Sequence, residues 1–408
     1  MNLLLKLAWR NVLRNKRRTF LSGLAVGIGL ASMMFVDGLF TGMLDSMIRT
    51  ATDTFLGHGQ IHARGFTDTL EVEKTINDSK RVLHKLSEED GIAQFTPRTV
   101  SFSMLSSAGG VKSAMLYGIE PETERNISLI DEAIREGKYL GGENKGEILI
   151  GSKTAETLEV KIGDRIVVTT AQAHTGELSQ EMFRVGGIFH MGIREADSGL
   201  AFVHLDKAQK LLALENEVHE ISITFEDLDM AGDPTIPFWQ KYSENGNKAI
   251  GWKEMVPQLD SVIEMSYIST AITLFLVFGI VGLTIMNSLF MSLYERMFEF
   301  GVLRAIGTRP VRMAAIIILE AASLALISMV IGTTIGFAFI KYFSINGINY
   351  KGIEFAGVTI TELIFPFFTI EQFTLYPLLT ILFSVTAALY PAIYAARLTP
   401  ARAMRRSM

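Results

Sequence analysis

The chain has 408 residues, 49% hydrophobic and 20% charged, with a formal net charge of −5 and no cysteine, and its mean hydropathy is +0.29. Soluble domains carry about 25% charged residues, so this composition argues against a wholly soluble protein and against disorder. The lack of cysteine excludes disulfides, thiolate metal sites and cysteine nucleophiles, and the seven histidines show no ligand spacing, so no metal site is expected.

In chain order, residues 3–18 predict an amphipathic helix. Leu4, Leu5, Ala8, Trp9, Val12 and Leu13 fall on one side, and Lys6, Arg10, Arg14, Arg17 and Arg18 on the other. Such a helix lies in the membrane interface or fixes topology by its charge alone. The apolar run from Phe20 to Phe40 follows. It is longer than a signal-peptide core and no A-x-A-like site follows it, so it predicts an uncleaved anchor.

A mixed domain comes next. Strands are predicted at 54–63, 99–106, 113–118, 147–150, 165–170, 183–189, 200–204 and 217–225, and helices at 74–88, 131–136, 153–158, 205–214 and 238–253, with a loop at 230–237. The β-rich part at about 119–204 reads as a subdomain inserted into one built from both chain ends. Within it, residues 171–181 predict a protruding hairpin or loop. Three further apolar runs begin at Tyr267, Met313 and Phe373, each long enough to cross a hydrocarbon core of about 30 Å. The expected fold is therefore a four-span α-helical membrane protein with a large α+β extracytoplasmic domain of two subdomains. The expected boundaries are an amphipathic segment 1–18, spans 19–41, 266–293, 312–340 and 373–396, the α+β domain 42–265, loops 294–311 and 341–372, and a tail 397–408.

Charge orients this layout. Residues 2–18, 294–312 and 397–408 together hold fourteen basic and two acidic side chains, a net of +12, which leaves −17 for the rest. Lys and Arg mark cytoplasmic loops, so both termini and the 294–311 loop are expected inside, with the α+β domain outside.

Two segments carry a recognisable pattern. Arg296, Glu299, Gly301, Arg304, Ala305 and Gly307 form R-x-x-E-x-G-x-x-R-A-x-G, and the chain ends with Pro391, Ala392, Ala395, Pro400, Ala403 and Arg405, with Met404 in place of the usual Leu. Both resemble the FtsX/MacB-like permease family of ABC transporters, as does Glu320 followed by Gly332-x-x-x-Gly336. Trp9-Arg10-Asn11, Gly57-His58-Gly59-Gln60 and Val185-Gly186-Gly187 resemble the lipoprotein-releasing LolC/LolE group of that family.

The resemblance implies a mechanotransmission permease subunit of the bacterial inner membrane. Arg296, Glu299, Gly301, Arg304, Ala305 and Gly307 would form a coupling helix against a cytoplasmic ABC ATPase dimer, with Arg304 facing acids on that partner. The chain has no G-x-x-x-x-G-K-[ST] phosphate loop, so it is not itself an enzyme. It would bind no cofactor, and ATP and Mg would reside on the ATPase. A second permease copy or paralogue, membrane lipids and a lipid-anchored substrate are the further expected partners, with a periplasmic carrier or adaptor as a candidate and no nucleic acid. In that group one permease carries a carrier-recruiting hook. Ala171–Met182 is the topological equivalent here, without the proline expected there.

Candidate substrate contacts are the soft outer half of the first span, Met33, Met34, Phe40 and Met43, with Ile268, Ile272 and Phe275 of the second. Gly23, Gly27, Gly332 and Gly336 are candidates for close helix packing, within the chain or between halves. Glu320 is the ionisable residue well inside a span and calls for a partner; Asp37 sits near the outer end of the first span. Two other activities share the resemblance: MacB-like export of peptides or amphiphilic toxic compounds, and FtsX-like regulation of a cell-wall hydrolase.

Overall fold

Four helices are long and apolar enough to cross a membrane. The computed structural model describes residues 3–141, 145–355, 358–359 and 363–399. The chain divides into two units, one of Met1–Asp45, Ile263–Tyr350 and Glu362–Met408, the other of Ser46–Val262 and Lys351–Thr361.

The first unit is helical. Its helices are α1 (Leu3–Arg14), α2 (Lys16–Ala51) as far as Asp45, α3 (Pro257–Glu295) from Ile263, α4 (Met297–Ala305), α5 (Pro310–Asn346) and α6 (Ile370–Ala396). The amphipathic helix ends earlier than expected, at Arg14. The Thr19 hydroxyl donates to the carbonyl of Val12 at 2.5 Å, satisfying an acceptor that the helix end leaves open, so Lys16–Arg18 open the first long helix instead. Helices α2 and α5 meet through their glycines. A Cβ on Gly332 would lie 2.8 Å from the Gly27 carbonyl oxygen, and one on Gly336 would lie 3.1 Å from Met34 Sδ. One glycine of each G-x-x-x-G motif, Gly27 and Gly332, thus meets the other within one chain, where a side chain larger than hydrogen would force the backbones apart, whereas Gly23 has only ordinary contacts with Ile327 and Ile331. Val281, Ile285, Phe300, Met313, Ile317, Ala388 and Ala392 fill the core at one end. At the other end, Leu30, Met33, Met34, Ile340 and Tyr376 do so.

The extended segment before α6 also belongs to this unit. The amide of Phe367 donates to the Gly38 carbonyl at 2.9 Å. A Cβ on Gly42 would stand 2.1 Å from the Phe365 oxygen. Gln372, itself buried, donates to Asp37 at 3.0 Å. Asp37, expected to be merely interfacial, is a fixed anchor for the start of α6.

The second unit is built on one mixed sheet. Its strands are β1 (Gly59–Ala63), β2 (Ile92–Ser106), β3 (Val111–Ile119), β4 (Ile134–Gly137), β5 (Glu147–Gly151), β6 (Arg165–Ala171), β7 (Leu178–Phe189), β8 (Leu200–His204), β9 (Glu220–Phe225) and β10 (Asn247–Gly251). The order is β10-β1-β9-β2-β3-β8-β5-β7-β4, with β6 pairing β2 and β7. The terminal and inserted halves of the domain therefore share a sheet that is continuous through the long β2–β3 hairpin. β6 and β7 form the hairpin expected around 171–181, with Leu178 and Met182 exposed.

Several local expectations change. The predicted loop 230–237 begins inside a helix, Leu228–Gly232, and the predicted helix 74–88 is confined to Ser79–Ser87. The predicted strand 54–63 is a π-helical turn, Thr52–Leu56, followed by β1; Gly57, at φ +78°, makes the reversal between them. Residues 131–136 are no helix; Ile134 opens β4, which pairs with β7. The predicted helix 238–253 stops at Tyr242. Asn245 and Gly246 turn at positive φ, and Asn247–Gly251 pair with β1.

Candidate functional site

The short helix α4 lies between α3 and α5 in the chain and presents two different faces. Met297, Phe300 and Gly301 are buried, whereas Phe298 is 53%, Val302 40% and Ile306 74% exposed. Its C-terminus is a Schellman closure. The amide of Thr308 donates to Leu303 O at 3.0 Å, and that of Gly307 to Arg304 O at 3.1 Å. Gly307 adopts φ +96°, the left-handed conformation that favours glycine at this position. Ala305 is exposed beside it. Arg304, expected to face outward toward a partner, is half-buried and donates through Nη1 to Thr308 O at 3.1 Å. It braces its own turn.

The buried face is held by a chain of charges. Arg296, immediately before α4, donates through Nη1 to Glu320 Oε1 at 2.7 Å and through Nε to Glu299 Oε2 at 2.9 Å. Glu299 also accepts from Arg14 Nη1 at 2.8 Å, and Glu320 Oε1 from Asn11 Nδ2 at 2.7 Å. Arg18 pairs with Glu295 at 2.7 Å. The network ties α1, α4 and α5 together. Burial by itself would lower the Arg296 guanidinium, but the Glu320 charge and the hydrogen bonds to Glu299 and Glu320 outweigh it and hold the group above its ordinary value. For Glu299, burial works to raise the carboxyl, and the bonds from Arg14 and Arg296 prevail and lower it. Glu320 therefore has the partner a charge at that depth requires. Beside it lies a cavity of about 20 Å³, room for one water, lined in part by Asn11, Thr19, Ser288 and Ser292.

The other candidates separate. Met33 and Met34 are 3% and 0% exposed and belong to the helix packing, which removes them from any substrate-facing surface. Phe40 and Met43 are half-buried. Ile268, Ile272 and Phe275 are 63%, 56% and 73% exposed. Pro391, Ala392 and Ala395 lie in α6, the two alanines buried, whereas Pro400, Ala403, Met404 and Arg405 lie outside the described residues. Among the described residues there is no cluster of side chains suited to a metal ion.

One constellation in the α+β domain escaped the sequence reading. Arg98 on β2 is fully buried. It grips Glu124 through Nε at 2.9 Å and Nη2 at 2.6 Å, and Glu220 on β9 through Nη1 at 2.7 Å. Its Nη2 also donates to the Phe55 carbonyl at 2.8 Å, and its guanidinium stacks 4.2 Å from the Phe55 ring. Ser222 and Gln60 donate to Leu56 O at 2.9 and 2.8 Å. The sheet thus captures the open carbonyls of the π-helical turn, with a cation at the helix end where the dipole favours one. A lone Arg immediately before the predicted strand 99–106 was the available signal.

Four spanning helices, with a large α+β extracytoplasmic domain between the first and second, define the class as a multi-pass membrane protein. Residues 19–231, just over half the chain, match the profile of the MacB-like periplasmic core domain, and residues 271–400 that of the FtsX-like permease C-terminal domain. The chain belongs to the FtsX/MacB-like permease family and is an ABC-transporter permease. Membership implies a partner ATPase and a dimeric permease arrangement. Over 96% of its length and 96% of the relative's, the chain is 23% identical to the lipoprotein-releasing system transmembrane protein LolC of Xylella fastidiosa. It is also 23% identical to LolE of Haemophilus influenzae, over 93% of this chain and 92% of that one. The periplasmic region of MacB from Actinobacillus actinomycetemcomitans aligns with a TM-score of 0.35 at 13% identity, covering 52% of this chain and 94% of that structure.

Proposed function

We propose that this chain is the membrane half of a mechanotransmission transporter that extracts lipid-anchored proteins from the outer leaflet of the bacterial inner membrane. Both termini and α4 lie in the cytoplasm, where a separate ABC ATPase dimer binds ATP and Mg. The observation that carries the reading is the two-faced α4. Its inner face is bound to α1 and α5 by the Arg14–Glu299–Arg296–Glu320 chain of contacts. Its outer face leaves Phe298, Val302 and Ile306 for a partner. A push on that face moves a braced unit of helices and not a loose loop. Gly301 lets α4 lie close against the bundle, and Gly307 ends it sharply. The substrate surface comprises Phe40 and Met43 of α2 with Ile268, Ile272 and Phe275 of α3, an apolar lining suited to acyl chains.

The lipoprotein assignment is supported by the relatives named for lipoprotein release, at 22–25% identity. Copurification from native membranes tests it. Acylated lipoprotein co-eluting with permease and ATPase, and released on ATP addition, is the expected result. ATPase activity that responds only to peptides or amphiphilic drugs would replace it with MacB-like export. Dependence of a cell-wall hydrolase on the chain would replace it with FtsX-like regulation.

A further inference from the structure

Helix α1 presents three sides. Ala8 and Val12 are buried, and the helix packs on α5. Leu5, Trp9 and Leu13, spaced by four, form an apolar strip that is left 41–45% exposed. Lys6, Arg10 and Arg14, one position further round, are exposed beside it, with Leu7 at their edge. An apolar strip bordered by cations is the arrangement of a helix that lies in a membrane interface. Topology fixed by charge alone would need no such strip.

The cations are in excess. Lys6, Arg10, Lys16 and Arg17 have no ion-pair partner among the described residues. Lys16, Arg17 and Arg18 occupy the first turn of α2 with no acid among them, at the helix end whose dipole repels cations. Arg18 is relieved by Glu295; the others call for anions from outside the chain. Arg14 does have a partner, Glu299 on α4, but the two side chains stay 55% and 46% exposed. An ion pair that open is weak, and the attraction of a basic side chain to an anionic lipid surface is at least as large. If Arg14 departs, Glu299 keeps Arg296 as its second cation.

We infer that α1 binds anionic phospholipid headgroups of the leaflet it lies in, through Lys6, Arg10 and Arg17, and that these headgroups compete with Glu299 for Arg14. Lipid charge thereby sets how tightly α1 is tied to α4. The lipid site stands on α1 and the start of α2 alone; its effect on coupling rests on the docking role proposed for α4 above. Phosphate supplies the charge, and the strip selects a lipid over free phosphate, because Leu5, Trp9 and Leu13 gain only from an acyl-chain boundary.

Trp9 is 45% exposed, whereas Trp239 and Trp252, the other two tryptophans, are buried in the α+β domain, so a quencher carried on lipid chains reads α1. The full chain in phosphatidylcholine nanodiscs is titrated with brominated phosphatidylglycerol or with brominated phosphatidylcholine. Half-maximal quenching is expected at a mole fraction at least about threefold lower for phosphatidylglycerol. Lys6→Gln/Arg10→Gln/Arg17→Gln should remove the difference, and Trp9→Phe the quenching itself. Competition is reciprocal, so Glu299→Gln should lower the phosphatidylglycerol midpoint about twofold further, and should have no effect in an Arg14→Gln background. Equal midpoints for the two lipids overturn the lipid site, and a midpoint indifferent to Glu299→Gln overturns the competition. Loss of quenching by both lipids on adding the ATPase would seat a protein on the strip and overturn the lipid site as well. None of these readouts needs ATP or substrate, so they fail separately from the transport assignment.

Discussion

Arg296 and Glu320 form an ion pair at 2.7 Å with only 10% and 6% of their side-chain surfaces exposed. Such a pair is a weak source of net stability but a costly one to break, because either partner alone is a desolvated charge. Arg296→Met or Glu320→Gln should each destabilise the detergent-solubilised protein by about 3 kcal/mol. The double variant Arg296→Met/Glu320→Met should recover most of that loss. Thermal unfolding of the three variants checks the coupling, and additive losses would show that the two groups act independently.

The exposed side of α4 gives a cleaner test of ATPase docking than Arg304. Arg304→Glu would lose the bond to Thr308 and loosen the turn, so its effects on folding and on docking are mixed. Phe298→Glu and Ile306→Glu change side chains that are 53% and 74% exposed. Both should keep the wild-type unfolding temperature within a few degrees and cut recovery of the ATPase in pull-downs at least tenfold.

Arg98 predicts a large effect far from α4. Arg98→Met leaves Glu124 and Glu220 buried without their cation, and about 3–5 kcal/mol of domain stability should be lost. Trp239 and Trp252 lie in this domain and are buried, so tryptophan fluorescence during denaturation reports the change.

Burial lowers the pKa of His62 and of His219. His62 Nδ1 is buried without a partner, and the two rings sandwich Phe66, at 5.5 and 5.2 Å. Both folded-state values lie below the ordinary value of about 6.5, so the unfolded chain takes up protons first. Their contribution is complete above about pH 6.5 and is lost as the pH falls toward the depressed values. The domain's unfolding midpoint should drop on acidification through this window, and His62→Gln should flatten the slope.

The glycines under the extended segment predict steric costs. Gly42→Ala and Gly38→Ala place a Cβ 2.1 Å and 2.8 Å from the carbonyl oxygens of Phe365 and Phe367. Each should cost about 1–3 kcal/mol. Gly199→Ala, with nothing within 4 Å of the new atom, is the control, and thermal shift assays compare the three.

The membrane half was the more legible in the sequence because its signals are local. Apolar length marks the spans, charge sorts the loops, and Gly307 closes α4 within a single turn. The pairings were hidden because they are distant: Asn11 and Arg296 converge on Glu320, and Arg98 reaches Glu220 across strands. β10 was read as helix because five residues give too little periodicity to outweigh the helix before them. The Asn245-Gly246 turn was the overlooked mark. Met33 and Met34 were misplaced because a flexible apolar side chain suits a binding surface and an internal seam equally well.

The bond from Phe367 to Gly38 joins the first span to a segment synthesised long after it. Until then the groove over Gly38 and Gly42 lacks the segment whose carbonyls pack into it. Packing of the first span is therefore complete only once residues 365–372 have been made. A nascent chain halted before residue 365 would keep its amino-terminal span in an unfinished state, open to quality-control proteases in the bilayer.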